Sequence, residues 1–160
     1  ALQFHGMYDQ MLSSMGAVTF KRARHYTVLN TQFNFYHIKK DLYFGLRSEE
    51  VGGYQVHIAD REKALLDILY FRSDVFHAGL VWEKLSRYKE TIDFSRLIKY
   101  ALKFNLDVIR QSGFFLDKIG VDTALLYRKI KGKTGYSRMT RDAAEFNAKW
   151  RLYFEPIVVE

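Results

Sequence analysis

The clearest pattern in the chain is a change from alternating to helical spacing of apolar residues near position 60. Tyr54, Val56 and Ile58 alternate with polar residues, which predicts a strand with one buried face. Asp60 then offers a short carboxylate to the free N–H groups of the following turn, and this predicts the start of a helix. Because almost all residues from 64 to 71 are apolar, we expect that helix to be a central, buried element.

The polar residues around this helix recur at spacings of three, four and seven, which indicates one narrow solvent-exposed stripe. They are Asp60, Lys63, Asp67 and Asp74. Glu62 adds negative charge at the positive end of the helix dipole. We interpret Glu62 and Asp67 as capping and surface residues; the alternative is that the stripe, with Lys63, forms a contact surface.

Residues before this stretch favour strands after a first helix. We expect a helix over 1–15, a strand over 17–24, a hairpin that pairs 26–29 with 32–38, and a brief strand over 42–46. Together with the strand that precedes Asp60, these segments predict a sheet of four or five strands.

Helical spacing dominates the rest of the chain. The segments predicted there are helices at 80–90, 94–103, 106–119 and 121–130, and an edge-like strand at 148–154. Gly113 lies where another backbone could approach closely. The sequence therefore predicts an α+β fold, in which a small antiparallel or mixed sheet of about 4–6 strands in the N-terminal half packs against a helical C-terminal half.

Composition narrows the class of protein. The 160 residues are 48% hydrophobic, which predicts a single domain over 1–160. No apolar stretch approaches the roughly 20 residues that a membrane span needs, and no signal peptide is apparent. The chain has no cysteine, so thiolate chemistry is excluded and the cytoplasm is the expected compartment. We expect the 13 Phe and 11 Tyr to be mostly core residues rather than a base-stacking platform.

The sequence contains no recognisable catalytic motif. Asp60, Glu62 and Lys63 have the wrong spacing for a carboxylate-lysine nuclease core. The five histidines lack metal-binding spacing, and neither a phosphate-binding glycine loop nor a nucleophile elbow is present. We therefore expect a non-catalytic protein with no cofactor and no metal.

Positive charge is the strongest functional signal. The chain has 25 basic and 18 acidic residues, a net charge of +7 and a pI near 9.5, which favours a polyanionic partner. Two clusters stand out, and the nine candidate nucleic-acid-binding residues are Lys21, Arg22, Arg24, Arg128, Lys129, Lys131, Lys133, Arg138 and Arg141. If both clusters lie on one side, they form a patch suited to phosphate contacts that position a duplex. The alternative is that they are ordinary solvated residues.

Several motifs along the chain resemble one family. The run His57 to Asp67 resembles the "A-x-x-EKALLD" signature of the AbiEi-type antitoxins of abortive-infection (type IV) toxin–antitoxin systems. Ala1 to Met7 is similar to that family's "SALxYHGL", and Lys149 to Leu152 to its closing "RWRL". Weaker matches lie between them, among them Ser112 to Leu116.

The resemblance implies a transcriptional regulator that represses its own operon and counters a toxin of the nucleotidyltransferase class. A winged helix usually precedes this region in the family, so the resemblance identifies 1–160 as the C-terminal domain, without that winged helix. The implied partners are double-stranded DNA of its own promoter and the cognate toxin, with no membrane. Two other hypotheses remain: a protein-interaction domain that binds an acidic partner and no DNA, and a nuclease or transferase whose carboxylate cluster the sequence does not supply.

Overall fold

The computed structural model describes residues 1–9, 14–22, 24–28 and 30–159, and it confirms the predicted α+β class. Strands fill most of the N-terminal half and helices follow, with three short strands near the end. The strands are β1 (Ser14–Thr19), β2 (Arg24–Val28), β3 (Thr31–His37), β4 (Leu46–Val51), β5 (Tyr54–Ala59), β6 (Ser137–Arg138), β7 (Glu145–Asn147) and β8 (Leu152–Phe154). The helices are α1 (Arg61–Phe71), α2 (Val75–Arg87), α3 (Phe94–Ala101), α4 (Leu106–Lys118) and α5 (Ala124–Ile130).

The strands divide among three small sheets. In the N-terminal sheet, β3 is central, parallel to β1 and antiparallel to β2. Strands β4 and β5 form a separate antiparallel hairpin. In the C-terminal sheet, β8 is central, parallel to β6 and antiparallel to β7. The prediction of one continuous N-terminal sheet is wrong: a 3₁₀ turn at Lys40–Leu42 and irregular chain over 43–45 follow β3, and β4 begins only at Leu46, in a sheet of its own with β5.

The hairpin of β2 and β3 confirms the pairing that was predicted from the sequence. The helix predicted over 1–15 is wrong where it can be checked: residues 2–6 form turns, and β1 already begins at Ser14. Residues 10–13 of that prediction lie outside the described residues. The opening turns pack on the rest of the fold, because Met7 is buried and the His5 ring donates a hydrogen bond from Nε2 to the Ala59 carbonyl at 2.8 Å.

Helix α1 begins as predicted, with Asp60 as its cap. The Asp60 carboxylate accepts a hydrogen bond from the Lys63 N–H at 2.8 Å, and its own N–H donates to the Gly45 carbonyl at 2.8 Å. The first contact satisfies a free helix donor, and the second fixes the start of α1 beside the hairpin. Leu65 and Leu66 then lie fully within the core that α1 shares with the later helices.

The chain near Trp150 differs from the predicted strand over 148–154. Only Leu152–Phe154 is a strand, and Trp150 lies in the preceding turn with its side chain fully buried. A Cβ atom at Gly113 would lie 2.2 Å from the Trp150 ring. The close approach predicted at Gly113 is therefore present, but the group that approaches is an indole ring and not a backbone.

Candidate nucleic-acid interface

The polar stripe predicted around α1 is a surface only in part, because Asp60 and Lys63 are buried and Asp67 is half-buried, whereas Asp74 is exposed. Lys63 is 1% exposed and Glu62 is 3% exposed. Lys63 pairs with Asp67 one turn later, and its ammonium group lies 5.1 Å from the centre of the Phe44 ring. Burial raises the pKa of Asp67, and the nearby Lys63 charge opposes that rise. Glu62 and Lys63 therefore offer no contact surface, since they face other parts of the chain.

Glu62 and Asp60 connect α1 to α3. The Glu62 carboxylate accepts a hydrogen bond from the Asp93 N–H at 2.8 Å and lies 3.6 Å from the Arg96 guanidinium. The Tyr100 hydroxyl donates to Asp60 at 2.9 Å, and burial together with this bond raises the pKa of Tyr100. The motif that carries the family resemblance is thus a structural junction in this chain.

The second basic cluster lies in one continuous surface segment, residues 128–141, which we call the basic segment. Arg128 and Lys129 occupy the last turn of α5, and Lys131 follows as its C-cap. Gly132 and Gly135 both have φ near +76°, which lets the chain turn tightly before β6. The six basic side chains of the segment all belong to exposed residues: Arg128, Lys129, Lys131, Lys133, Arg138 and Arg141.

A buried arginine of α4 fixes the loop in the middle of the basic segment. Arg110 is 2% exposed, and its guanidinium donates to the Ser137 hydroxyl at 3.0 Å and to the carbonyls of Thr134 and Gly135 at 3.3 Å each. Ser137 in turn donates to the Asp107 carboxylate. Burial lowers the pKa of Arg110, and the charge of Asp107 opposes that effect. The loop is therefore held by side chains of the core.

Sequence reasoning missed Arg110. The available signal was a charged residue between Ile109 and Phe114 on the apolar face of a predicted helix. A buried arginine needs hydrogen-bond partners, so its position pointed to a segment that supplies carbonyls from outside the helix.

The nine candidate cations differ from the other basic residues in their partners. Within the described ranges none of the nine forms an ion pair with a carboxylate, whereas several basic residues elsewhere do. The paired residues are Lys63, Lys84, Arg87, Arg96 and Lys149. Arg138 is bound without being neutralised, because it donates to the Ala143 carbonyl at 2.5 Å. The nine charges are thus available to an external anion.

The first basic cluster belongs to the N-terminal sheet. Lys21 and Arg22 lie in the connection between β1 and β2, and Arg24 begins β2. This sheet meets the helical half at Tyr36, whose ring lies 5.1 Å from Phe71. Among the described residues, no hydrogen bond, ion pair or ring contact joins the two basic clusters, so their union in one patch stays a prediction.

The described residues contain no group of three or more histidine or acidic side chains arranged to hold a metal ion. None of the helices described is long and apolar enough to cross a membrane. Comparison of the chain with family models, with curated proteins and with solved structures found no match. The motifs and the two basic clusters are therefore the features of this chain that bear on its function.

Proposed function

We propose that this chain is a non-catalytic, antitoxin-type regulator domain that contacts duplex DNA through its basic clusters. The single observation that carries the proposal is the basic segment: among the described residues its six exposed cations have no carboxylate partner, and the loop in its middle is held by the buried Arg110 guanidinium. The motif resemblance supplies the biological setting. In that setting the domain works in the cytoplasm, represses its own operon and counters a nucleotidyltransferase toxin.

The contact we propose is electrostatic. Lysine and arginine side chains that neutralise phosphates release condensed counterions, and this favours binding to any duplex at low salt. Such contacts fix where a protein lies on DNA without reading the bases. A fixed loop loses less conformational freedom on binding than a loose one, so the bonds from Arg110 support affinity.

The test is a binding titration against a duplex of the chain's own promoter region, over a series of salt concentrations. Each phosphate contact adds about 0.9 to the slope of log affinity against log salt. We expect the triple variant Lys129→Ala/Lys131→Ala/Lys133→Ala to weaken binding and to lower that slope by about 2 to 3.

A matched variant separates local contact from net charge. Lys39, Lys89 and Lys99 are exposed and lie outside both basic clusters, so their replacement by alanine removes the same charge. We expect the slope of this control to stay near that of the unmodified chain. Equal losses in both triple variants would contradict a local contact, and no binding at low salt would remove the DNA role from this chain.

A scrambled duplex of the same length tests sequence preference. Equal affinity for the two duplexes would mean that the chain positions DNA and leaves base recognition to another domain. Preference for the promoter would mean that it reads sequence without a winged helix.

The same cations favour a second candidate, a protein-interaction domain that binds an acidic partner such as the toxin. If the triple lysine variant loses toxin binding while duplex binding is absent in every variant, this candidate replaces the first.

A further inference from the structure

The C-terminal sheet has an outer face that carries a row of rings. Arg138 of β6, Tyr153 of β8 and Phe146 of β7 are direct partners across the three strands. Tyr136 precedes β6 and extends the row, with its ring 5.1 Å from that of Tyr153. Tyr136 is 58% exposed and Phe146 is 48% exposed.

The opposite face of the same sheet already provides the contacts to the core. Leu152 is fully buried, and the ring of Phe154 lies 4.6 Å from that of Phe114. Because successive side chains of a strand point to opposite faces, Tyr153 faces away from this contact. The rings of the outer face are therefore not needed to fill the core.

The rings of the outer face pack on one another at an angle, with Tyr136 inclined by 78° and Phe146 by 46° to the Tyr153 ring. The Phe146 ring lies 4.8 Å from the Tyr153 ring, and the Arg138 guanidinium lies 4.4 Å above the Tyr153 ring. Arg138 therefore covers Tyr153, while the flanking rings of Tyr136 and Phe146 keep much of their surface open. Unpaired bases stack on exposed aromatic rings and guanidinium planes, and the open faces of Tyr136 and Phe146 are groups of that kind.

Basic residues outnumber acidic ones in the segments that flank the row, where the acidic residue is Asp142, next to Arg141. Lys131 and Lys133 precede Tyr136, and Arg141 follows Arg138 in the connection from β6 to β7. The acidic neighbour of Phe146 on β7 is Glu145, which alternation places on the other side of the strand. Aromatic rings that are flanked in the chain by cations, none of them paired with a carboxylate among the described residues, complement a phosphate backbone with accessible base faces.

We propose that the outer face of the C-terminal sheet binds single-stranded nucleic acid, with unpaired bases stacked on Tyr136 and Phe146. The phosphates are bound by Lys131, Lys133 and Arg141. Only these phosphate contacts rest on the function proposed above; the stacking on the rings does not. A closed duplex hides its base faces inside the stack, so the rings contribute to binding only when bases are unpaired.

The experiment measures anisotropy of fluorescein-labelled oligothymidine and oligouridine of about twelve nucleotides, a length within known single-strand sites. A duplex of equal length is measured in parallel. We expect Tyr136→Ala/Phe146→Ala to weaken single-strand binding at least about fivefold, because each stacked base contributes appreciably to affinity. Duplex affinity is expected to stay within about twofold, since phosphate contacts are unchanged.

Two control variants test the role of the rings. Tyr136→Phe/Phe146→Tyr keeps both rings and is expected to bind like the unmodified chain. Phe76→Ala removes a ring that is 62% exposed on α2, and single-strand binding is expected to be unaffected. A loss confined to oligothymidine or to oligouridine supports the site and identifies its natural ligand as DNA or RNA.

A second readout uses the unmodified protein, so that folding of a variant does not decide the result. An oligonucleotide with 2-aminopurine is expected to change its emission on binding, because the fluorescent base stacks on a ring. Unchanged emission on binding or undiminished single-strand affinity of the alanine variant overturns the proposal. Single-strand binding without duplex binding would instead refute the proposed duplex contact and leave this inference standing.

Discussion

The N-terminal and C-terminal sheets share one pairing order but are attached to the core in different ways. In each, the last strand is central, parallel to the first and antiparallel to the second. Each also carries basic residues near the connection between its first two strands: Lys21 and Arg22 in one, Arg138 and Arg141 in the other. The N-terminal strands have five to seven residues and the C-terminal strands two or three.

The shorter strands are the better anchored. The C-terminal sheet buries Leu152 and continues from Trp150, which is fully enclosed against α4. The N-terminal sheet has β2 exposed along its whole length and meets α1 mainly through Tyr36. Because burial of apolar surface stabilises folds more than strand length does, we expect the C-terminal sheet to open with the core and the N-terminal sheet to open locally.

Removing the anchor of the C-terminal sheet has the largest expected effect. Trp150→Ala leaves a cavity beside Gly113 and removes the bond from the indole N–H to the Asp117 carboxylate, which measures 2.7 Å. Substitutions of this kind cost about 3–5 kcal/mol of the free energy of unfolding. Urea unfolding followed by circular dichroism measures it, and a loss below about 1 kcal/mol would contradict the anchoring role.

A substitution that overfills the contact between Gly113 and Trp150 is expected to lower the free energy of unfolding somewhat less than Trp150→Ala does. Gly113→Ala places a methyl group 2.2 Å from the Trp150 ring, so the ring or the helix must shift, at about 1–3 kcal/mol. Gly79→Ala is the matched control, because Gly79 lies within α2 and its added methyl group meets nothing within 4 Å. In the control the free energy of unfolding is expected to rise by up to about 1 kcal/mol. Equal effects at the two sites would refute the packing argument.

The contact between Trp150 and Gly113 also shows how far the fold could be predicted from the sequence. The caps Asp60 and Asp93 were predictable because capping depends on residues within one turn. Gly113 was identified as a site of close approach, but its partner Trp150 comes from a distant part of the chain, and no local pattern specifies that distance. The strand predicted over 148–154 includes Trp150 because three apolar residues alternate with polar ones there, which is also the pattern of a strand.

The candidate site was predictable to a similar degree. Exposure of the nine basic residues follows from their charge, and the structure agrees with it. The buried state of Lys63 did not follow, because a helical polar stripe has the same spacing whether it faces water or a carboxylate such as Asp67. The role of Arg110 was missed for the same reason: its partners are backbone carbonyls of a later loop, which residue identity does not reveal.

Weakening the attachment of the N-terminal sheet is expected to have a small, local effect. In Tyr36→Ala the ring contact to Phe71 and the bond from Arg72 are lost. We expect faster amide exchange in β1, β2 and β3 while the free energy of global unfolding changes by less than about 1 kcal/mol. Tyr26→Ala is the control, because Tyr26 is 47% exposed on β2. A global loss as large as that of Trp150→Ala would mean that the two sheets are equally anchored.

The smallest expected effect is a pH dependence of the free energy of unfolding that arises from Asp117 of α4, the carboxylate that binds Trp150. Burial alone would raise the pKa of Asp117, but hydrogen bonds from Lys149, Thr123 and Trp150 outweigh it and lower that pKa. A lowered folded-state pKa stabilises the fold fully above the unfolded value, about 3.9, and the stabilisation is lost as pH falls through the folded value.

Asp117→Asn is therefore expected to reduce the free energy of unfolding at neutral pH, with a difference from the unmodified chain that narrows below about pH 4. Urea unfolding at several pH values measures this. Because Lys149 donates to the same carboxylate, the loss in Asp117→Asn/Lys149→Ala is expected to be less than the sum of the two single losses. A difference that stays constant down to about pH 2 would show that the carboxylate charge does not stabilise the attachment of Trp150, and packing against Gly113 would then account for the anchoring of the C-terminal sheet.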